Sequence, residues 1–112
     1  MAEEKKEAIE EPKKPSWLVL NLITPIEYQG TKISTLDLTG LKEMTGEDLN
    51  VIYDLYESMG GTGSIMQEST LRFAQVIASR ATGYPMEAIT KLKAKDSVAL
   101  KGRVYRFFFL PV

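Results

Sequence analysis

The side chains with the widest chemical scope are the carboxylates outside residues 1–16: Glu27, Asp37, Glu43, Glu47, Asp48, Asp54, Glu57, Glu68, Glu87 and Asp96. Paired carboxylates at a set separation drive glycoside hydrolysis, and regularly spaced acids in a loop hold calcium. Neither spacing occurs here. Asp48 and Asp96 instead suit helix starts, where a carboxylate accepts free backbone amides. The chain has no histidine and no cysteine. Missing histidine removes the commonest general base and the commonest neutral metal ligand. Missing cysteine removes thiolate chemistry and disulfides, which fits a reducing compartment. Ser-His and Cys-His nucleophiles and ordinary zinc sites are thereby excluded. The reading is of a protein that is not an enzyme, with no cofactor and no metal.

Two further stretches carry some chemistry. Gly60-Gly61-Thr62-Gly63 precedes a helical pattern, and amides at a helix start hold anions. A phosphate loop needs Lys and Ser/Thr after its last glycine, whereas Ser64-Ile65-Met66 follows here. The run therefore reads as a connection. Residues 91–106 hold four Lys and two Arg against Asp96 alone. Such a patch could touch nucleic acid or an acidic helix, but cations on a helix surface are routine. The net charge of −1 gives no general case for nucleic acid.

The elements that position these groups follow from periodicity. With 112 residues, 44% hydrophobic and 26% charged, the chain suits one core. Residues 1–16 carry five Glu, four Lys and two Pro, which predicts a flexible charged arm before a single domain at 17–112. No signal peptide is legible, and Trp17 to Ile23 is too short to span a bilayer, so a soluble intracellular protein is expected. Leu18, Leu20 and Leu22 alternate as on a strand, and Pro25 interrupts them. Ile26-Glu27-Tyr28, a turn at Gln29-Gly30, and the run from Thr31 to Leu38 complete a hairpin over about 17–38. Its expected inner face is Ile26, Tyr28, Ile33, Leu36 and Leu38. A lone hairpin is marginal in water and must pack on helices, and its edge is open to a partner strand.

Four helices are predicted, at 45–59, 65–81, 85–92 and 96–109. Thr45 caps the first, with Asp48 three residues on. Leu49, Ile52, Tyr53, Tyr56 and Met59 form its stripe. The second presents Leu71, Ala74, Ile77, Ala78 and Ala81, with Phe73 and Val76 beside them. An elbow follows. Gly83 ends the helix in the left-handed conformation, Tyr84 is held out of the helical region by the next residue, and Pro85 opens a short helix. Asp96 is expected to cap the last helix, whose stripe is Leu100, Val104, Phe107 and Phe108. The fold class is α+β: a small N-terminal β-hairpin or sheet packed on about four helices.

The order of these segments resembles the tail assembly chaperones of long-tailed bacteriophages, in the family that groups the Mu-like and P2-like versions. The resemblance rests on four stretches. They are Pro25-Ile26-Glu27-Tyr28-Gln29-Gly30-Thr31-Lys32-Ile33 with Leu36-Asp37-Leu38, Met44-Thr45-Gly46-Glu47-Asp48-Leu49, Ala81-Thr82-Gly83-Tyr84-Pro85-Met86-Glu87-Ala88-Ile89 with Leu92 and Asp96, and the apolar ending at 104–108. It spans about residues 25–108 and leaves the strand from Trp17 to Ile23 outside. It implies a non-enzymatic factor of the host cell cytoplasm, absent from the mature virion. Such a factor binds the tape measure protein before tail tube subunits polymerise around it. The tail tube subunit, a longer frameshifted form of the same chain, and further copies in a homo-oligomer are the other implied partners.

A tape measure protein exposes long apolar helical stripes until the tube covers them. A factor that holds it needs apolar grooves, several copies and reversible contacts. The expected groove lining is Phe73, Ile77, Met86, Ile89, Leu92, Phe107, Phe108 and Phe109, with methionine and aromatics adapting to varied partners. The rival for each is a place in the core. Two other functions compete: a structural tail or head–tail completion protein of the virion, and a small nucleic-acid-binding regulator using residues 91–106.

Overall fold

The computed structural model describes residues 16–60 and 66–110. The expected arm at 1–16, all but its last residue, lies outside them, as do 61–63 of the glycine run and Pro111 and Val112. The chain opens with an antiparallel hairpin, β1 (Val19–Tyr28) and β2 (Thr31–Asp37). Gln29 (φ 51°) and Gly30 (φ 80°) make its two-residue turn. Positive φ at both turn positions matches the right-handed twist of the strands, and only Gly30 adopts it without steric cost.

The hairpin breaks register in the middle. Leu20 pairs with Leu36 and Asn21 with Thr35, but the next pair is Ile26 with Ile33. Leu22, Ile23, Thr24 and Pro25 thus face Ser34 alone. Pro25 has no amide to donate, so a bulge tolerates it where a regular ladder would not. Leu18, Leu20, Leu22 and Ile26 are buried along the inner face, with Ile33, Leu36 and Leu38. Tyr28 is half-buried.

A 3-10 turn (Thr39–Glu43) leads into α1 (Gly46–Ser58). The capping box is formed as predicted: the Asp48 amide donates to Thr45 Oγ1 at 3.3 Å and the Thr45 amide to Asp48 Oδ2 at 3.0 Å. Gly60 (φ 89°) follows the helix. The second predicted helix starts later than 65. Residues Gln67–Ser69 form a 3-10 turn, and α2 spans Leu71–Thr82. Thr70 sets that start, because its hydroxyl accepts the Phe73 amide at 3.2 Å. Leu71 consequently sits in the first turn, exposed, rather than on the inner face. Gly83 ends α2 at φ 85°, as expected.

The short helix α3 covers only Met86–Ile89, with Pro85 as its N-cap rather than its first residue. The last helix, α4, spans Ala94–Phe109. Lys93 stands at its N-cap without a side-chain hydrogen bond, so Asp96 does not cap it. Helix α2 is the hub: α1, α3, α4, β2 and both 3-10 turns pack on it. Phe73, Ala74, Val76, Ile77 and Ala78 fill the space between the hairpin and the other helices. Gly40 lets the first 3-10 turn approach closely, since a Cβ there would stand 3.0 Å from the Ala81 carbonyl oxygen.

Candidate protein-docking surface

Helix α4 is held by polar contacts as much as by its apolar stripe. Asp96, 1% exposed, stands in its first turn. Its two carboxylate oxygens accept the Ile23 amide at 2.9 Å and the Thr24 amide at 3.0 Å. Those are the amides that the β1 bulge removes from the ladder. A buried backbone donor without an acceptor costs about 1–3 kcal/mol, so bulge and carboxylate need each other. The expected role of Asp96 as a helix cap is corrected accordingly: the carboxylate binds a strand that lies 73 residues away.

Further along, an Arg103 guanidinium nitrogen donates to the Trp17 carbonyl at 2.6 Å. Arg106 lies 4.3 Å from the centre of the Trp17 ring, a cation–π contact. Leu100 and Val104 complete the buried face. Two of the six cations at 91–106 therefore bind this protein's own N-terminal strand. Lys91, Lys93, Lys95 and Lys101 remain exposed. Trp17, two residues before β1 and explained by no motif, is the counterpart that the two arginines hold.

The residues predicted to line a groove divide. Phe73, Ile77 and Ile89 are fully buried and Leu92 is nearly so, all within the core. Met86, Phe107 and Phe108 are half-buried, packed against that core. Phe109 is 41% exposed. Nor do they share one place. Phe73 is in the first turn of α2, with Phe108 at 6.1 Å and Tyr53 at 5.5 Å between ring centroids. Met86, Ile89 and Leu92 follow the last turn of the same helix. Three successive phenylalanines cannot all enter one core from a helix, and the outcome is graded: two pack in part and Phe109 faces out.

The surface the sequence did not single out is the outer side of α4. Val98 is 65% exposed and Tyr105 37%, and Leu110 beyond the helix end is exposed too. The Tyr105 and Phe109 rings lie 4.8 Å apart. Periodicity could have found this stripe, since Val98, Tyr105 and Phe109 recur at seven and four residues. On α1, Val51 and Leu55 are exposed opposite the buried Ile52 and Tyr56.

Titratable groups elsewhere make single contacts. The Tyr53 hydroxyl donates to Glu68, and that bond, with partial burial, holds the phenol up at a pKa of about 12. The Tyr28 hydroxyl donates to Glu87 at 3.0 Å, which raises the Tyr28 pKa. The Thr39 hydroxyl donates to Asp37 at 2.6 Å and lowers the Asp37 pKa. A surface cleft of about 530 Å³ lies at the elbow, and its charged lining is Glu43, Asp48 and Arg80. Arg80 and Asp48 approach to 3.8 Å as an exposed pair of little energetic weight. Among the described residues, no three acidic side chains gather as a metal site would need, and no helix is long and apolar enough to cross a membrane.

Among known protein families, the one described as "Phage tail assembly chaperone proteins, E, or 41 or 14" has a model that matches residues 19–108. No curated protein and no solved structure matches the chain. The matched span runs from the first residue of β1 to the penultimate residue of α4, and so includes the hairpin, the elbow and the helices α1 to α4.

Proposed function

The chain belongs to the family of phage tail assembly chaperone proteins, and from that premise we propose that it holds the tape measure protein before tail tube subunits polymerise around it. The partners of a tail assembly chaperone are proteins, and the features that support this reading are protein-docking features. The observation that carries it is the apolar end of α4. Phe107 and Phe108 are half-buried, and Phe109 and Leu110 are exposed, on a helix fixed by Asp96 and Arg103. A rigid helix with aromatic side chains at its outer end suits the apolar face of a second helix. Of the predicted lining, Phe107, Phe108, Phe109 and Met86 have surface to offer, while Phe73, Ile77, Ile89 and Leu92 support them from the core.

The chaperone acts in the host cytoplasm, in several copies along one target, and is absent from the finished virion. The tail tube subunit and a longer frameshifted form of the chain are the further partners of this reading. Arg103 and Arg106 are engaged internally, which weakens the case for a nucleic-acid regulator.

Co-expression with the tape measure protein of the same gene neighbourhood tests the proposal. Soluble tape measure protein recovered with this chain is the expected result. Insoluble tape measure protein beside a folded chain overturns it. Recovery of the chain in purified virions points instead to a structural tail or completion protein.

A further inference from the structure

We infer that copies of this chain associate head to tail, the outer face of α1 in one copy docking on the outer face of α4 in the next. The inference deepens the multi-copy reading above and rests on it for its purpose, although the contact itself needs no target to be measured.

Charge is segregated between the two helices. Helix α1 carries Glu47, Asp48, Asp54 and Glu57 and no base. Helix α4 carries Lys95, Lys101, Arg103 and Arg106, and its one acid, Asp96, is buried against the strand amides. The chain's small net charge thus conceals one acidic helix and one basic helix. Each also has an apolar stripe facing away from its buried side. On α1, Val51 is 40% and Leu55 38% exposed, with Glu47 and Asp54 along the same face at helical spacing. On α4, Val98, Gly102 and Tyr105 form the stripe, bordered by Lys95 and Lys101, all of them exposed.

Gly102 adds an independent sign. It sits inside a helix, where glycine is less favourable than alanine. Nothing among the described residues requires it, because a Cβ there would meet none of their atoms within 4 Å. A glycine at the centre of an exposed stripe leaves room for a facing helix to come close. The occupant is a second copy through its α1, because like charges would oppose α4 against α4. Within one molecule the two faces cannot meet, since α1 and α4 each bury their other side against α2 and the core. A heterologous contact of this kind builds a ring or an open chain rather than a closed two-fold dimer. One helix-on-helix contact is small, so each joint is weak and reversible.

Sedimentation velocity of the full chain over a concentration series tests this. Association beyond a dimer is expected, weakening as salt rises from about 0.05 M to about 0.5 M. A variant with Glu47→Lys and Asp54→Lys, and another with Lys95→Glu and Lys101→Glu, should each associate at least about tenfold more weakly. Mixing the two variants should restore association, because each then supplies the face the other lacks. Gly102→Ala should weaken association while leaving the dilute monomer folded with an equal or higher melting temperature. A chain that stays monomeric throughout overturns the inference. So does association that the α1 variant leaves intact, or a mixture that fails to recover. Association as described without retention of the tape measure protein would sink the proposed function and leave this inference standing. Retention by a monomer would do the reverse.

Discussion

Helix α4 has two faces that look alike in sequence and behave differently in the fold. The inner one carries Leu100 and Val104 and is fixed by Asp96 on the β1 bulge. The outer one carries Val98, Tyr105 and Phe109, all exposed, and nothing among the described residues buries it. Both repeat at helical spacing. What separates them is the polar partner: only the inner side places a buried carboxylate against two strand amides. Periodicity marks a surface that will be covered, and the polar groups beside it decide whether this chain or another protein does the covering.

The contrast can be broken in order of expected effect. Leu100→Ala should lower folding stability by roughly 2–5 kcal/mol by opening a cavity, while Val98→Ala should change it by less than about 0.5 kcal/mol. Chemical denaturation of the two variants side by side measures the difference. Asp96→Asn should cost about 1–3 kcal/mol, because its amide group cannot accept from both Ile23 and Thr24. Faster hydrogen exchange at those two amides is the readout specific to that loss.

A smaller effect separates α1 from the loop that packs on it. Glu68 holds the Tyr53 pKa at about 12 against an ordinary 10.0. The folded state therefore keeps this proton where the unfolded chain has lost it. The contribution is fully present below pH 10 and fades as pH rises from 10 toward about 12. Tyr53 is only half-buried, so solvent screening should hold the change near or below about 1 kcal/mol. Denaturation midpoints should fall less steeply over that window in Tyr53→Phe than in the parent chain. The smallest change concerns the hairpin turn. Gln29→Asn should stabilise by about 0.5 kcal/mol, because asparagine tolerates φ 51° better than glutamine. Thermal melting would detect it.

Local signals in the sequence were enough for the turn at Gln29-Gly30, the Thr45–Asp48 capping box, the Gly83 stop and the inner stripes of α1 and α4. Each depends on residues within a few positions of one another. Helix starts were less legible where two caps compete, as Thr70 shows by starting α2 after a 3-10 turn. The links that fix α4 could not be read at all. Ile23 and Asp96, or Trp17 and Arg103, lie more than seventy positions apart. A bulge also becomes visible only when its partner strand is known. For the docking surface, residue type suggested apolar lining, but burial decided which of Phe73, Ile77, Ile89 and Leu92 the core had already taken. The outer face of α4 is masked in the sequence because Val98, Gly102 and Tyr105 stand among basic residues that read as a solvated face.

The central claim is that the exposed end of α4 holds the tape measure protein while the core beneath it serves the fold. The direct test uses one variant, Phe109→Ser with Leu110→Ser, both exposed, co-expressed with the tape measure protein and melted separately after purification. The account predicts a cooperative melt within a few degrees of the parent and loss of most of the retained tape measure protein. Undiminished retention by that folded variant would contradict it.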